Sequence, residues 1–505
     1  MPTTKSHPDT AATSIDEIML NAFHAFNEYK KVLPEHKAIF LETIAGEIEA
    51  VGDTLINKAS EETNLPASRL TGERARTTMQ LRMFAEMVRE GSWVDASIDT
   101  SIPDRYPVPK PDIRKMLIPL GPVIVFGASN FPFAYSTAGG DTASALAAGC
   151  SVVVKAHPAH AKTSEMVFEA IKTSIEKCNM PQHAFQHVHD EGFEPDSYRV
   201  GKALVQHPAT AAVGFTGSTS GGKALYDYAH ERKNPIPVFS EMGSINPVIF
   251  FPDTLERNSE ALVKMYANSI TLGMGQFCTN PGLMMAVESN ALPIFLENLS
   301  EEVSKFTPSK MLHEGIQKAY IEKMEKALSQ KGVELIKHSQ DGSNGIKTKP
   351  AIASVSGKIF LKNSTLHEEV FGPYSLMVKC KDITELKEVW QSVTGQLTTS
   401  LMGTDKDFND NKTLIEDAQS IAGRINFNNP PTGVEVCPSM VHGGPFPATT
   451  DSRFTAVGIN GVKRWVRPVC FQNCPEYLLP DELKNKNPKK ILRLINNQYS
   501  NRDVE

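Results

Sequence analysis

The sequence predicts an α/β protein with a doubly wound parallel sheet, and two observations support this prediction. Short apolar segments alternate with helical periodicity between residues 119 and 241, a pattern typical of parallel strands covered by helices on both faces. Polar residues or glycines follow several of these segments, as at Asn130, Lys155 and Gly217. Because ligands bind at the carboxyl ends of strands in such sheets, we expect these three residues near one binding site.

The bulk composition argues against several classes of protein. The 505 residues carry a formal net charge of −6, which favours neither nucleic acid nor an anionic membrane surface as a partner. No apolar run approaches the ~18 residues of a transmembrane helix, and the polar residues 1–14 lack the apolar core of a secretory signal. The seven cysteines are scattered without metal-ligand spacing. We therefore expect free thiols in a reducing cytoplasm, a polar N-terminal tail and no metal site.

The N-terminal part of the chain predicts helices followed by a connector. Apolar residues recur at helical spacing over residues 15–60 and 70–94. The second segment also carries arginines that we expect on a solvated or interface face of its helix: Arg74, Arg76 and Arg82. Residues 97–111 are polar and rich in proline, so they predict a connector.

Strands and helices then alternate. The predicted strands lie within residues 119–126, 149–155, 184–189, 211–215 and 236–239. The predicted helices between them lie at residues 137–148, 163–177 and 223–231. A strand at residues 246–251 enters a new unit, and a helix over residues 255–272 leads to a glycine-rich loop. Residues 291–328 are mostly helical in pattern, and residues 424–427 predict a short strand.

That loop, residues 273–282, reads Gly-Met-Gly-Gln-Phe-Cys-Thr-Asn-Pro-Gly and places Cys278 on open, irregular backbone. A reactive thiol needs such a setting, because the nucleophile is the thiolate and it must reach a substrate. The alternative is that Cys278 is a small core hydrophobe, as most free cysteines are. The local sequence leaves both interpretations open.

The residues at the strand ends have chemical and structural interpretations. Asn130 offers a side-chain N–H to a developing oxyanion, or it is a turn residue before Phe-Pro. Glu241 is a general base held between apolar residues and glycine, or a surface charge. Lys155 contacts ribose or phosphate, or it extends from a strand end to water. The loop over residues 217–222 binds a phosphate at a helix N-terminus, or it is a plain turn with Ser218 as N-cap.

In combination and order, these motifs resemble those of aldehyde dehydrogenases. The resemblance covers nearly the whole chain and rests on Asn130-Phe131-Pro132, Lys155, the Phe-Thr-Gly-Ser-Thr stretch with Gly222, Glu241, Gly275-Gln276-x-Cys278 and Glu369-x-Phe371-Gly372-Pro373. Residues 71–78, 89–95, 240–247 and 440–445 further resemble the branch of 2,5-dioxovalerate (alpha-ketoglutaric semialdehyde) dehydrogenases. That branch is similar to an NADP-dependent fatty aldehyde dehydrogenase.

The resemblance implies a role for each site residue. Cys278 is the nucleophile that forms a thiohemiacetal and then a thioester, and Asn130 with the Cys278 backbone N–H holds the oxyanion. Glu241 activates the water that releases the acid, and His442 lies near the thiol and tunes it. The residues implied in dinucleotide binding are Lys155, His157, Gly217, Ser218, Gly222, Glu369 and Phe371.

The residues after Lys155 predict a preference for NADP over NAD, with NAD still usable. NAD-preferring relatives often carry an acidic residue just after this lysine, where it binds the ribose 2′-hydroxyl and would repel a 2′-phosphate. In this chain Lys155 is followed by Ala-His-Pro, and the first carboxylate comes at Glu165. His157, His160 and Lys162 lie nearby instead.

The substrate is predicted less directly. A semialdehyde with a carboxylate tail requires an arginine or several N–H donors, and Arg453 is the candidate. Phe131, Phe133, Tyr135 and Phe454 would instead line an apolar tunnel for long-chain aldehydes. The branch resemblance favours oxidation of 2,5-dioxopentanoate to 2-oxoglutarate. The alternatives are a fatty or broad-specificity aldehyde dehydrogenase, a CoA-acylating or phosphate-reducing relative, and a catalytically silent binding or structural homologue.

The chain also predicts a division into three parts. Residues 1–243 comprise the N-terminal helices and the dinucleotide-binding domain, and residues 244–436 form the catalytic domain. Residues 437–505 return to the cofactor side. The resemblance implies that this last part helps to form a homodimer or homotetramer, with a small-molecule aldehyde as substrate.

Overall fold

The computed structural model describes residues 12–189, 198–338, 348–393 and 395–504. Within these residues the chain forms three β-sheets together with many helices, which confirms the α/β class predicted from the alternation of strands and helices. The polar tail expected over residues 1–14 falls largely outside the described residues. Among the described helices, none has both the length and the apolar character needed to span a membrane.

Four helices open the described chain: α1 (Ala12–Tyr29), α2 (Pro34–Ala50), α3 (Asp53–Thr63) and α4 (Ala67–Glu90). The helical periodicity over residues 15–60 therefore spans three helices. Pro34 starts α2 at a position where its missing N–H costs nothing. Gly91, with φ of 85°, ends α4 in the left-handed conformation that glycine adopts readily. Leu41 of α2 and Phe84 of α4 are buried in the same core.

Two strands follow, β1 (Ser97–Asp99) and β2 (Ile113–Pro119). The prediction of a connector over residues 97–111 is therefore wrong at its start. β1 pairs antiparallel with β2 and parallel with a strand near the C-terminus, where Ile98 lies opposite Ile495. β1 has only three residues of mixed polarity, so it carries no strand signal of its own. Its partners, distant in sequence, fix its conformation.

The first parallel sheet contains β3 (Val123–Phe126), β4 (Val152–Lys155), β5 (Phe185–Val188), β6 (Ala212–Thr216) and β7 (Val238–Glu241). Its order is β5-β4-β3-β6-β7, and every pair is parallel. The connecting helices are α5 (Gly140–Ala148), α6 (Ala161–Lys177), α7 (Tyr198–Gln206) and α8 (Thr219–His230). Consecutive Val123, Ile124 and Val125 are all buried, as expected for a strand that is covered on both faces.

The second sheet contains β8 (Val248–Phe250), β9 (Leu283–Val287), β10 (Glu334–His338), β11 (Ala351–Ser356), β12 (Tyr374–Cys380), β13 (Gln396–Met402) and β14 (Ala422–Phe427). Its order is β10-β11-β12-β9-β8-β13-β14, and only the β10–β11 pair is antiparallel among the described residues. Its helices are α9 (Pro252–Thr271), α10 (Ala291–Ser304), α11 (Glu314–Leu328), α12 (Gly357–Phe360), α13 (Ile383–Gln391), α14 (Asp405–Asp410), α15 (Lys412–Glu416) and α16 (Ala418–Ile421).

The third sheet joins the N-terminal strands to the end of the chain. Its last strands are β15 (Val466–Gln472), β16 (Arg493–Ile495) and β17 (Gln498–Ser500), and its order is β15-β2-β1-β16-β17. The C-terminal strands therefore pair with residues 97–119, which precede the first parallel sheet. The division of the chain at residues 243 and 436 stays a prediction.

Candidate active site

The carboxyl ends of the first sheet form one wall of a cleft of about 440 Å³. Lys155 ends β4, Gly217 follows β6, and Asn130 lies in the loop after β3. All three residues line this cleft. Their common position follows from the parallel order of the strands, since all the strands of a parallel sheet end at the same edge.

The loop that contains Cys278 connects α9 to β9 through tightly constrained backbone. Gly273, Met274 and Gly275 all adopt positive φ, at 55°, 60° and 61°. At Gly275 glycine is also required by packing, because a Cβ would lie 2.4 Å from the carbonyl of Gly372. The glycines noted in the sequence thus allow the loop to turn sharply and to contact a second backbone segment.

Two buried side chains hold this loop in place. Asn246 donates its side-chain N–H groups to the carbonyls of Cys278 and Asn280, each at 2.8 Å. Gln276 donates to the Gly273 carbonyl at 3.0 Å and accepts the Leu312 backbone N–H at 3.0 Å. Because these polar groups are buried and paired, displacing the loop would break hydrogen bonds that water cannot easily replace.

The thiol of Cys278 lies beside a histidine and a carboxylate. Its Sγ is 3.6 Å from His442 Nε2, and that nitrogen is 2.9 Å from Glu241 Oε1. His442 and Glu241 are buried, whereas Cys278 is half-buried and therefore accessible. A nucleophile with two proton acceptors in reach is the arrangement that covalent catalysis requires. The three donor atoms lie within 4.8 Å of one another, so they could also bind a metal ion.

The surroundings of Cys278 keep its thiol protonated. Burial raises its pKa well above the ordinary value, the negative charges of Glu241 and Glu369 raise it further, and a hydrogen bond to Glu241 adds to the effect. The thiol therefore becomes a nucleophile only when a neighbouring base takes its proton. His442 Nε2, 3.6 Å from Sγ, is placed to do so.

Asn130 reaches the Cys278 loop from the first sheet. Its side-chain N–H donates to the Gln276 carbonyl at 3.2 Å, two residues before the thiol. Its own carbonyl accepts Arg69 Nη2 at 2.6 Å, so the residue is fixed from both sides. The Asn130 amide has a second N–H, and this group is the one available to a substrate oxygen beside Cys278.

The cleft contains nearly all of the residues expected to bind a dinucleotide: Lys155, His157, Gly217, Ser218, Glu369 and Phe371. Gly222 differs, because it does not line the cleft. A Cβ on Gly222 would lie 2.7 Å from the Met242 side chain, so this glycine allows α8 to pack closely against the segment that follows β7. Its role in cofactor binding stays a prediction, and the contact that the structure shows for it is packing.

The loop at Gly217 and Ser218 combines the two interpretations that the sequence left open. Ser218 is the N-cap of α8, and its Oγ accepts the Gly221 N–H at 3.2 Å. A Cβ on Gly217 would lie 2.6 Å from the Phe215 ring, so only glycine fits there. The bare backbone and the N-terminus of a 12-residue helix face the same cleft, a setting that suits a phosphate group.

Comparison with known proteins decides the family. The model of the aldehyde dehydrogenase family matches residues 3–445. The chain belongs to the aldehyde dehydrogenase family. It is 46% identical over 470 residues to alpha-ketoglutaric semialdehyde dehydrogenase 2 of Azospirillum brasilense, an alignment that covers 93% of this chain and 89% of the relative. It is 43% identical to alpha-ketoglutaric semialdehyde dehydrogenase of Acinetobacter baylyi, over 95% of this chain and 90% of the relative.

More distant proteins share the fold of this aldehyde dehydrogenase. A salicylaldehyde dehydrogenase from Pseudomonas putida G7 superposes with a TM-score of 0.77 at 18% identity, over 92% of this chain and 91% of the other. A long-chain-aldehyde dehydrogenase of an Acinetobacter species is 28% identical over 76% of this chain and 73% of the relative. The chain is thus an oxidoreductase acting on aldehydes, in a family that uses NAD or NADP and a catalytic cysteine.

In this aldehyde dehydrogenase His157 lines the cleft as a neutral side chain. Burial lowers its pKa well below the ordinary value, and the charges of His160, His313 and Lys155 lower it further. Its Nδ1 accepts the Ala159 N–H at 3.1 Å, so Nε2 carries the proton of the neutral ring. His157 can therefore donate a hydrogen bond to a ligand without contributing a positive charge.

The two other basic residues expected near Lys155 lie outside the cleft. His160 is fully buried, and its Nε2 is 2.9 Å from the Ala128 carbonyl. Lys162 forms an ion pair with Glu165 at 2.9 Å on the surface. Neither residue lines the cleft. Of the basic residues expected at this edge, Lys155 is therefore the one that brings a positive charge to the cleft.

The two residues expected to bind substrate have different positions. Phe131 packs edge-on against Tyr135 and Phe277, with ring centroids 5.2 and 5.7 Å apart, and Phe277 precedes the nucleophile. Arg453 is 78% exposed and pairs with Asp451 at 2.6 Å. The prediction that Arg453 enters the substrate funnel is not supported, because its charge is already paired at the surface.

The sequence reasoning missed arginines that do reach the site. Arg69 lies over the rings of Phe131 and Phe277, at 5.0 and 4.8 Å. Arg76 donates to the Tyr135 hydroxyl at 3.2 Å, so its expected place on a solvated or interface face is wrong. The seven-residue spacing of Arg69 and Arg76 puts both on one face of α4, and this signal was present in the sequence.

The two other arginines of α4 behave as structural or surface groups. Arg82 forms a two-pronged ion pair with Glu49, at 2.7 Å for both bonds, and 43% of its side chain is exposed. Arg74 donates to the Gly52 carbonyl at 2.7 Å. The surface prediction therefore holds for Arg82, and Arg74 instead joins α4 to the start of α3.

Replacing Glu241 by Gln should uncouple the two halves of the reaction. The variant loses the negative charge and the acceptor that raise the pKa of Cys278, so alkylation of Cys278 by iodoacetamide at neutral pH should become faster. Turnover should fall by about 100-fold or more, because the base for hydrolysis is gone. Mass spectrometry of digested protein measures alkylation, with exposed Cys470 as the internal reference. Slower alkylation of Cys278 than in the wild type would show that Glu241 serves mainly to deprotonate the thiol.

Binding of the dinucleotide should weaken as the pH falls through about 7, because burial raises the pKa of Glu369 to about 7. Above that pH the charged carboxylate accepts hydrogen bonds from ribose hydroxyls, and below it the protonated group accepts them less well. Fluorescence titration with NADPH across this range measures the effect. Glu369→Gln should bind more weakly and without this pH dependence. An unchanged pH profile in the variant would assign the titration to another group.

Proposed function

We propose that this aldehyde dehydrogenase oxidises 2,5-dioxopentanoate to 2-oxoglutarate, with NADP as the preferred acceptor. The observation that carries the chemistry is the grouping of Cys278, His442 and Glu241. Cys278 Sγ lies 3.6 Å from His442 Nε2, and that nitrogen lies 2.9 Å from Glu241 Oε1. The substrate is supported by the two relatives named alpha-ketoglutaric semialdehyde dehydrogenase, which are 46% and 43% identical over more than nine-tenths of the chain.

The first half of the reaction is attack by Cys278. The sulfur forms a bond to the aldehyde carbon while its proton passes to His442 Nε2, which lies 3.6 Å from Sγ. The oxyanion of the thiohemiacetal accepts hydrogen bonds from the Asn130 side chain and from the backbone N–H of Cys278. Glu241 Oε1, 2.9 Å from the same nitrogen, stabilises the positive charge that His442 then carries.

The second half of the reaction is hydrolysis of the thioester on Cys278. Bound NADP supplies the acceptor for the hydride that leaves the thiohemiacetal. Glu241 then removes a proton from water, the hydroxide oxygen attacks the thioester carbon, and the carbon–sulfur bond breaks. The carboxylic acid leaves and the thiol regains its proton. The two halves therefore use different bases, His442 for the thiol and Glu241 for the water.

The residues of the cleft fit an NADP molecule. Glycine backbone and the N-terminus of α8 suit its pyrophosphate, and Glu369 suits ribose hydroxyls. Glu369 is the only carboxylate among the described residues that line the cleft, and residues 155–158 contribute none. A 2′-phosphate beside Lys155 would therefore not be repelled by a carboxylate from residues 155–158. This charge distribution supports NADP over NAD.

A second candidate function is oxidation of fatty or broad-specificity aldehydes. It is favoured by the aromatic rings of Phe131, Phe277 and Tyr135, which pack together beside the nucleophile. The relative named long-chain-aldehyde dehydrogenase supports it less, because that protein is only 28% identical. A silent homologue or a CoA-acylating enzyme is disfavoured by the close contact of Cys278, His442 and Glu241.

The remaining proposals concern the state of the enzyme. We propose that it works without a metal. Cys278 is then the nucleophile, and Glu241 and His442 are bases rather than metal ligands. We also propose a cytoplasmic homodimer or homotetramer. Exposed apolar side chains in the third sheet and in the segment between β1 and β2 support association: Tyr106 is 94% exposed, Val108 61% and Tyr499 72%. Such side chains are typical of surfaces covered by a partner.

An absorbance assay of the purified protein tests the proposed function, with NADP and NAD each crossed against 2,5-dioxopentanoate and hexanal in the presence of EDTA. We expect a higher kcat/KM for 2,5-dioxopentanoate than for hexanal, and for NADP than for NAD. Cys278→Ala should abolish product formation, because no other thiol of the described chain contacts both His442 and Glu241. A clear preference for hexanal would favour the second function, and full activity of Cys278→Ala would exclude the covalent mechanism.

A further inference from the structure

We infer that Arg76 and Arg424 bind the carboxylate end of the aldehyde substrate, and that Arg69 positions Asn130. This inference rests on the proposed oxidation of an anionic semialdehyde. The three residues come from two elements, Arg69 and Arg76 from α4 and Arg424 from β14. All three guanidinium groups are half-buried around the aromatic rings beside Cys278. We call them the arginine wall.

Arg76 approaches the nucleophile through Tyr135. Its Nη2 donates to the Tyr135 hydroxyl at 3.2 Å, and its guanidinium carbon lies 5.5 Å from the centre of that ring. The Tyr135 ring is 6.3 Å from the ring of His442, which contacts the thiol. Arg76 is also close enough to Cys278 for its charge to stabilise the thiolate. A substrate joined to the sulfur would therefore meet this guanidinium within a few atoms.

Arg424 approaches the same space from the second sheet. It donates Nη1 to the Gly433 carbonyl at 2.8 Å and Nη2 to the Pro431 carbonyl. These bonds fix the guanidinium and leave its charge uncompensated, because both acceptors are neutral. Its charge also acts on Cys278 and on Tyr135, the two residues that Arg76 acts on. The two cations thus converge on one region from different parts of the fold.

The arginine wall has unsatisfied donors. Arg69 Nη1, Arg76 Nε and Arg424 Nε are buried and have no hydrogen-bond partner among the described residues. Leaving such groups unpaired is unfavourable unless a ligand accepts from them. Guanidinium groups match the geometry of a carboxylate, and a 2-oxo acid adds a ketone oxygen as a further acceptor.

The neighbouring carboxylates do not neutralise these charges. Glu73 lies near Arg69 and Arg76, but its Oε1 accepts the backbone N–H groups of Phe133 and Ala134 at 2.9 and 3.0 Å. Burial raises the pKa of Glu73, so its negative charge is disfavoured. Glu241 lies against His442 and the thiol. Three arginines therefore face at most two carboxylates, and the balance favours an anionic substrate.

Arg69 has a different function from Arg76 and Arg424. Its Nη2 donates to the Asn130 carbonyl at 2.6 Å, and its guanidinium lies over the rings of Phe131 and Phe277. These contacts orient the Asn130 amide toward the Cys278 loop. Arg69 is therefore a positioning residue for the oxyanion donor, and Arg76 and Arg424 remain for the distant carboxylate.

The experiment compares Arg76→Gln and Arg424→Gln with Arg453→Gln as the matched control, because Arg453 is a surface arginine paired with Asp451. Each is assayed with 2,5-dioxopentanoate and with pentanal, a neutral aldehyde of the same length. We expect kcat/KM for 2,5-dioxopentanoate to fall by about 10- to 100-fold in the first two variants, mainly through KM, as is typical for loss of a charged hydrogen bond. The loss with pentanal should be much smaller. Arg453→Gln should match the wild type.

The outcomes separate this inference from the proposed function. The wild-type preference for 2,5-dioxopentanoate over pentanal tests the function, and its absence overturns both. If the wild type has the preference and Arg76→Gln and Arg424→Gln keep it, the inference is wrong and the function stands. A loss of preference in Arg453→Gln would return the carboxylate site to that residue. Pentanal oxidation reports a folded site in every variant. If a Gln variant does not fold, the Lys variant at the same position replaces it, and a partial loss of kcat/KM for 2,5-dioxopentanoate is expected.

Discussion

The close approach of a buried carboxylate to a half-buried thiol is the constraint on which the rest of the site depends. A thiolate at Cys278 and a carboxylate at Glu241 would place two negative charges in a region with little water. The proton is therefore held until an acceptor and an oxyanion site are in place. The glycine-rich loop, the Asn246 hydrogen bonds and the burial of His442 all maintain this unfavourable proximity. We interpret the arginine wall as the positive charge that offsets these two negative charges, since it lies on the substrate side of the same thiol.

Much of the fold and the core of the site could be predicted from the sequence, because their signals are local. Short apolar runs such as Val123–Phe126 and Val152–Lys155 are recognisable as buried strands before their partners in the sheet are known. The positions of Lys155 and Glu241 at strand ends follow from the same pattern. The glycines around Cys278 are required by positive φ within the loop itself, and Gly275 is required also by the close approach of the Gly372 backbone.

The remaining features depend on distant contacts that a single sequence does not display. β1 is a strand because of a partner close to the C-terminus. Gly222 serves packing against Met242 rather than the ligand. Arg453 and Arg76 exchanged their expected places, since a neighbouring Asp451 pairs with one and Tyr135 draws the other inward. The deciding partner is distant in sequence for β1, Gly222 and Arg76, whereas Arg453 is held at the surface by Asp451, two residues before it.

The central claim is that Cys278 carries the substrate covalently and that Glu241 releases it. The most direct measurement is mass spectrometry of Glu241→Gln after incubation with NADP and 2,5-dioxopentanoate and an acid quench. The account predicts one equivalent of NADPH for each active site and a stable acyl adduct on the peptide that contains Cys278. Repeated turnover without an adduct, or an adduct confined to another of the seven cysteines, would contradict it.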